Sequence, residues 1–349
     1  MRAGSSIPVL TYHGVAPGRT IVPSVLETHL RVLREGGYPA LLPAELDSAA
    51  SGVLVTFDDG FADVWTTVLP LLERYELKAT VFAIPGRAGE GPRRSPEEVP
   101  PFSEREAHRE ASAGGAHPAF LRWSELQALE ASGRVRVESH SYSHRMGWVG
   151  DEPVGFHLSS ARSHWSLAQC TGGDTRLGIP LYRRGSALGH RLYRDDAGLR
   201  DRLAGWLEER GGAAYLEARG AARVGAELRA EAGRHPPAAG RWESDDERRR
   251  RTLEDVVTAR EALEERLGGR REELCLPWGE YDGLTLEYAR EAGIRRVYTL
   301  ERDPNPAGRI GFLVNRFEPR PKGGSWLRTR LWIYRSVVRT RFYRLLSRR

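Results

Sequence analysis

Two short segments of this chain combine residue types that can do hydrolytic chemistry. The first is Thr56-Phe57-Asp58-Asp59-Gly60, at the end of the apolar run 52–57. Adjacent carboxylates at a strand end repel each other. The arrangement becomes reasonable when a cation binds one and the other is held as a base. A plain Asp-Gly turn is the competing reading. The second segment is His140-Ser141-Tyr142-Ser143-His144. A His-x3-His spacing puts both rings on one face if the segment is helical. Two histidines and one carboxylate, with positions left for water, suit a catalytic divalent metal such as zinc better than a closed structural site. Tyr12-His13-Gly14 and Pro277-Trp278-Gly279 are weaker signals, each readable alone as a structural histidine or a turn.

The elements that must position these residues alternate. Runs at 7–13, 38–42, 52–57, 79–84, 135–139, 274–276, 296–300 and 310–316 read as strands, with helical patterns at 61–75, 123–131 and 244–267 among them. A helix is also expected from Ser24, where Ser24 and Glu27 fit a capping box, to Gly36-Gly37, and Ser244 with Glu247 fits a second box. Repeated βα units imply a mostly parallel sheet. The segment 85–118, rich in Gly, Pro, Ser and charge, reads as a long mobile surface loop. Residues 145–243 break the rhythm and read as an insertion without a fold of its own, irregular over 173–190 and helical over 196–233. His13, Asp58, Asp59, His140 and Trp278 all fall at the C-terminal ends of strands. In a βα barrel those ends meet at one mouth.

In that order, TFDDG, HSYSH and a strand ending in PWG resemble the polysaccharide deacetylase family (carbohydrate esterase family 4, NodB-like). The opening Pro8-Val9-Leu10-Thr11-Tyr12-His13-Gly14-Val15 is more similar to the branch of bacterial poly-N-acetylglucosamine deacetylases. The resemblance covers most of residues 7–319 apart from the two interruptions. It implies an α/β fold, a distorted (β/α)7 barrel, and metal-dependent removal of an N-acetyl group from an N-acetylhexosamine of a surface glycan or its lipid-linked precursor. Deformylation or ester cleavage on a lipid-linked sugar, or a catalytically silent glycan-binding role, are the alternatives. By motif position, Asp59, His140 and His144 would bind the metal, most simply zinc, and Asp58 would be the general base toward water. The backbone N–H of Trp278 would stabilise the oxyanion, and His13 would be the general acid. The pattern departs at Cys275, where an arginine that orients the base is usual, and in lacking a late Leu-x-x-His; residues 309–319 read RIGFLVNRFEP. Arg316, on the last strand, is expected to replace the missing arginine, because a closed barrel returns that strand beside the first ones.

The chain has 349 residues, 40% hydrophobic and 29% charged, with 53 basic and 47 acidic side chains. That composition can build a sizeable core and excludes wholesale disorder. From Pro319 to Arg349 there are ten basic residues and no acidic one, leaving 43 basic against 47 acidic elsewhere. A mildly acidic body argues against nucleic acid as a partner. Two cysteines make no disulfide framework. The start, MRAGSSIPVLTYHG, has no apolar signal-like run, so a cytoplasmic protein is expected. The tail 320–349 carries Leu327, Leu331, Tyr334, Val338, Phe342 and Leu345 in one helical stripe, flanked by Arg328, Arg335 and Arg339 and by Arg330, Arg341 and Arg348. Such a stripe suits docking on the inner, anionic face of a membrane.

Overall fold

Strands that are apolar on both faces need cover on both, and this chain supplies it by closing a sheet on itself inside a ring of helices. The structure is a computed structural model and describes residues 4–159, 164–234 and 239–346. Seven parallel strands follow one another around the sheet: β1 (Val9–Tyr12), β2 (Val53–Phe57), β3 (Ala79–Ala83), β4 (Val135–Ser139), β5 (Glu273–Cys275), β6 (Arg296–Thr299) and β7 (Leu313–Asn315). A two-residue strand, Ala40–Leu41, also pairs with β2. Just past β7, Phe317 exchanges backbone bonds with β1: the Thr11 N–H donates to Phe317 O at 3.1 Å, and the Phe317 N–H to Val9 O at 3.0 Å. The sheet is therefore a nearly closed (β/α)7 barrel, as the motifs imply.

The two-residue period of the strands sorts their side chains. Leu10, Tyr12, Val53, Val55, Phe57, Val81 and Val137 pack in one cluster with helix residues such as Leu26, Leu30, Val68, Leu126 and Leu263. Val9, Leu54, Phe82, Cys275, Tyr298 and Val314 form a separate cluster inside the barrel. Continuing the inward phase along each strand leads to His13, Asp58, His140 and Arg316. The same alternation that builds the core thus aims the polar groups at one mouth.

Several elements differ from expectation for identifiable reasons. The first helix spans Pro23–Glu35 with Val22 at its N-cap and no side-chain cap. Proline's fixed φ starts a helix well, so Pro23 takes the first position and moves Ser24 inside. The second helical segment begins only at Val64, as a wide π-type turn over Val64–Val68 before an α-helix at Leu69–Arg74. Pro70 there offers no N–H to the ladder. The box at Ser244 does form: the Ser244 N–H donates to Glu247 at 2.7 Å and the Glu247 N–H to Ser244 Oγ at 3.2 Å.

Segment 85–118 is no structureless loop. It contains a helix, Glu104–Gly114, capped by Ser103, and a buried Arg94. The Glu125 carboxylate, on the helix Trp123–Ala131, accepts from Arg94 Nε at 2.8 Å and Nη2 at 2.7 Å and from the backbone N–H groups of Arg94 and Arg122. This buried ion pair, with the packing of Phe102, Ala107 and Ala111 on Phe61 and Phe120, ties the excursion down.

The chain divides into two compact units, the second formed by 145–252 with 280–285. This unit has a fold of its own, which corrects the expectation for the insertion. Its antiparallel sheet runs Arg241–Trp242, Tyr193–Arg194, Met146–Trp148, Arg184–Ser186, and the last of these strands lies in the stretch expected to be irregular. Helices Ala197–Glu208, Gly212–Arg219 and Ala221–Ala232 enclose Leu199, Leu203, Leu207, Val224 and Leu228.

The tail is two helices, Gly324–Tyr334 and Val337–Leu346. Leu327, Leu331 and Tyr334 belong to the barrel core, with the Tyr334 ring stacked on Phe317 at 4.3 Å. The expected single stripe is therefore broken, and its first half is not a free surface. Arg348 lies outside the described residues.

Removing one partner of a buried pair leaves the other charge uncompensated. Glu125→Ala should therefore cost about 3–5 kcal/mol of unfolding free energy in a denaturant titration. A loss within about 0.5 kcal/mol, the range of ordinary surface changes, would mean the pair does not hold the excursion.

Candidate active site

Each sequence-selected polar residue lies just beyond the C-terminal end of a strand: His13 after β1, Asp58 and Asp59 after β2, His140 and His144 after β4, Trp278 after β5 and Arg316 after β7. The structure brings them together. Asp58 is buried and held by Arg316 through two parallel bonds, Nη1 to Oδ1 at 2.7 Å and Nη2 to Oδ2 at 2.9 Å. Arg316 also donates to Thr11 Oγ1 at 2.8 Å and Thr56 Oγ1 at 3.1 Å, and its Nη2 lies 2.9 Å from Cys275 Sγ. The small side chain at 275 thus packs against a guanidinium delivered from another strand, as expected for a replacement of the motif arginine. Burial alone would raise the Asp58 carboxyl, but the charge of Arg316, with His140 and His13 behind it, leaves it below the ordinary range.

Asp59 is arranged differently. It is also buried, yet its Oδ1 has no hydrogen-bond partner among the described residues. That oxygen lies 3.6 Å from His140 Nε2 and 3.4 Å from His144 Nε2. The His140 Nδ1–H donates to Cys275 O at 3.0 Å, so in the neutral ring the lone pair of Nε2 faces Asp59. Burial is the largest influence on both rings and keeps their pKa values below the usual histidine range, that of His144 well below. A carboxylate oxygen without a donor, facing two neutral imidazole nitrogens just beyond hydrogen-bond distance, is a donor set with a cation-sized gap. The edges of a tetrahedron with bonds of about 2.0–2.1 Å measure about 3.3–3.4 Å, close to the separations observed. These residues fit a divalent metal. Two other convergences, Asp59 with His108 and His144, and Asp58 with His140 and Cys275, also bring three ligand-type atoms together. In the second, both Asp58 oxygens are taken by Arg316, and burial keeps the thiol protonated, so it is not a cation site.

The backbone around the gap is strained. Among the described residues, five that are not glycine have positive φ, and four of them are Asp59, Ser141, His144 and Trp278. Segment 140–144 is therefore no helix; its two rings converge through left-handed turns, not helical spacing. Its shape is held from outside the motif. The Tyr142 N–H donates to Asp255 Oδ1 at 2.7 Å, Ser143 Oγ donates to the same carboxylate, and the His144 N–H donates to Ser141 Oγ at 2.9 Å. The Trp278 ring lies 4.3 Å from the His144 ring. Gly60, at φ 71°, is needed because a Cβ there would stand 3.2 Å from Ala83.

Sequence reasoning missed His108, Arg87 and Asp255. His108, on the helix Glu104–Gly114, places Nε2 3.6 Å from Asp59 Oδ2 and stacks on His144 at 5.2 Å. Its Nδ1 is bonded to Arg87, a side chain that can only donate. Nδ1 must therefore accept, which leaves the proton of a neutral ring on Nε2, pointed at Asp59. His108 steadies the carboxylate and is not a ligand in this arrangement. The buried Arg87 also reaches the carbonyls of Ser143 and His144, both at 3.4 Å. His13 stands among Asp59, Asp58, Glu104 and Glu318; burial lowers its pKa, but these charges outweigh burial and raise it.

A family model for polysaccharide deacetylases matches residues 47–188, which include TFDDG and HSYSH. YxkH of Bacillus subtilis (strain 168), a polysaccharide deacetylase homologue, is 34% identical over 90 residues, covering 23% of this chain and 32% of its own length. The match therefore spans about a third of that relative. Among solved structures, the fold is similar to a de-N-acetylase from Aggregatibacter actinomycetemcomitans (TM-score 0.56, 15% identity, 93% of this chain and 98% of that one). It is also similar to IcaB from Ammonifex degensii (0.53, 20% identity, 95% and 98%) and to the BpsB deacetylase domain from Bordetella bronchiseptica (0.54, 18% identity, 90% and 96%). The family model covers less than half of the chain, and the solved structures bear on the fold alone.

In the metal-binding arrangement that these residues fit, losing His144 would remove a ligand, whereas losing His108 would remove only a support. Loss of an outer-shell partner typically weakens metal affinity by about 10–100-fold, so His108→Ala should fall in that range in a competition titration with a chelator. The number of histidines around a bound cobalt probe, counted by X-ray absorption, should stay at two. A drop from three to two would make His108 a ligand.

Proposed function

We propose that this protein is a metal-dependent hydrolase that removes an N-acetyl group from an N-acetylhexosamine of a glycan or its lipid-linked precursor. The observation that carries this is the division of labour between neighbouring carboxylates: Asp58 is clamped and ionised by Arg316, while Asp59 faces two neutral imidazoles with an oxygen to spare. The family model and the relative support the same chemistry. The resemblance of the opening residues favours substrates of the poly-N-acetylglucosamine kind.

Asp59, His140 and His144 would hold the ion. A bound divalent metal, zinc in this reading, supplies Lewis-acid polarisation and makes water more acidic. Asp58 then serves as the base. Its clamped carboxylate is a weak base, and the two bonds from Arg316 fix its direction so that it takes a proton from a nearby water without rotating. Thr11 Oγ1, 3.3 Å from Asp58 Oδ2, helps to hold that orientation. His13, whose proton is retained by the surrounding carboxylates, suits the acid that protonates the departing amine. The turn at Trp278, with its positive φ, presents a backbone N–H for the oxyanion.

Asp58→Asn keeps the shape and removes the base. Acetate release from N-acetylglucosamine oligomers should fall by at least 10²-fold, within the span usual for a general base, while bound metal measured by atomic emission stays near one equivalent. Wild-type turnover in this variant would remove Asp58 from the mechanism. Release of formate or of ester-derived acetate in place of amide-derived acetate would change the bond that is cut but not the site.

A further inference from the structure

Only the second half of the expected helical stripe, Val338, Phe342 and Leu345, is exposed, and Trp332 and Leu346 join it. The helix Val337–Leu346 is fixed to the barrel unit on one side only. The Val337 N–H donates to Gly4 O at 2.9 Å, and the Ser6 N–H donates to Arg335 O at 3.1 Å. Thr340 is fully buried, Arg344 pairs with Asp303, and the Tyr343 ring meets Tyr334 edge-on. At 100° per residue, Val338, Phe342, Leu345 and Leu346 fall within an arc of about 100° opposite Thr340. These four are 72%, 63%, 67% and 59% exposed, and Trp332 nearby is 59% exposed. Arg339 borders the arc on one side, its guanidinium 4.3 Å over the Trp332 ring. Arg341 borders it on the other side, exposed. The whole tail carries no acidic residue.

We propose that Trp332 and the helix Val337–Leu346 form a rigid docking face for an anionic lipid bilayer. An outward apolar arc bounded on both sides by arginines is complementary to a membrane surface. The apolar side chains enter the acyl boundary while Arg339 and Arg341 meet phosphates. A cap by a second protein would need acidic groups opposite that border, and a second copy of this face would bring arginines against arginines. The orientation is set by the anchors on the buried side, so the helix meets the lipid already ordered. No helix among the described residues is long and apolar enough to span a membrane, so contact stays at the surface. The helix is anchored at Gly4 and Ser6, ahead of β1, whereas the candidate catalytic groups follow the C-terminal ends of the strands.

The test is flotation of the full chain with vesicles of phosphatidylcholine alone and of phosphatidylcholine mixed with phosphatidylglycerol. Truncation is unsuitable because Leu327, Leu331 and Tyr334 are core residues. The wild type should float only with the anionic mixture, and less at high salt. Phe342→Glu with Leu345→Glu should abolish flotation with an unchanged melting temperature. Arg339→Gln with Arg341→Gln, which leaves the apolar arc intact, should weaken binding by about 5-fold per arginine, roughly 25-fold together. Flotation of both double variants like the wild type would overturn the proposal. So would a wild-type dimer in light scattering that Phe342→Glu with Leu345→Glu converts to monomer, since a second copy would then be the occupant.

Discussion

A carboxylate must stay charged in a place from which the barrel has removed most of the water, and the rest of the mouth is built around that demand. Moving a carboxylate out of water costs several kcal/mol unless a partner of good geometry compensates. Arg316 meets Asp58 with both forks, and Thr11, Thr56 and Cys275 take up what remains of its surface. With a permanent cation assigned to one carboxylate, its neighbour is left facing two neutral imidazole nitrogens. Two adjacent carboxylates, which repel each other, are given different surroundings: Arg316 for Asp58 and histidine rings for Asp59.

The backbone carries the matching cost. Left-handed conformations at Asp59, Ser141, His144 and Trp278 are each unfavourable for residues with a Cβ, and such strain survives only where surrounding structure over-determines it. Here the determinants are visible: Asp255 accepts from Tyr142 and Ser143, and Arg87 donates to the carbonyls of Ser143 and His144. The rings of His108 and Trp278 pack on either side of His144. The site is rigid because distant elements hold it, not because its own residues favour the shape.

That distinction explains what the sequence made legible. Apolar runs located all seven barrel strands to within a few residues. The motifs at their ends named Asp58, Asp59, His140, His144 and Trp278, and the logic of a closing barrel reached Arg316 without any local signal at that position. His108 and Asp255 were invisible because they reach the site through tertiary packing from helices. In the Gly- and Pro-rich segment 85–118, composition concealed an ordered helix and a buried arginine. The break at Arg335–Ser336 has no glycine or proline to mark it. Its cause is the N-terminal segment, where Gly4 and Ser6 take the backbone bonds of Val337 and Arg335. Periodicity, which assumes an uninterrupted helix, could not register that competition.

The pairing of Asp58 with Arg316 spans 258 positions of the chain. Contacts of such separation form late, since the loop between the partners must close before the contact is gained. On the ribosome the interval is longer still: Asp58 and the strand that carries it emerge early, and the guanidinium follows only after both excursions and five further barrel strands have been synthesised. Until then the nascent chain holds an unpaired acid at the end of its most apolar strand, which resists premature burial of that end. The last strand therefore completes the core and the Arg316–Asp58 clamp in one event, and the carboxylate gains its partner only when the sheet has become a barrel.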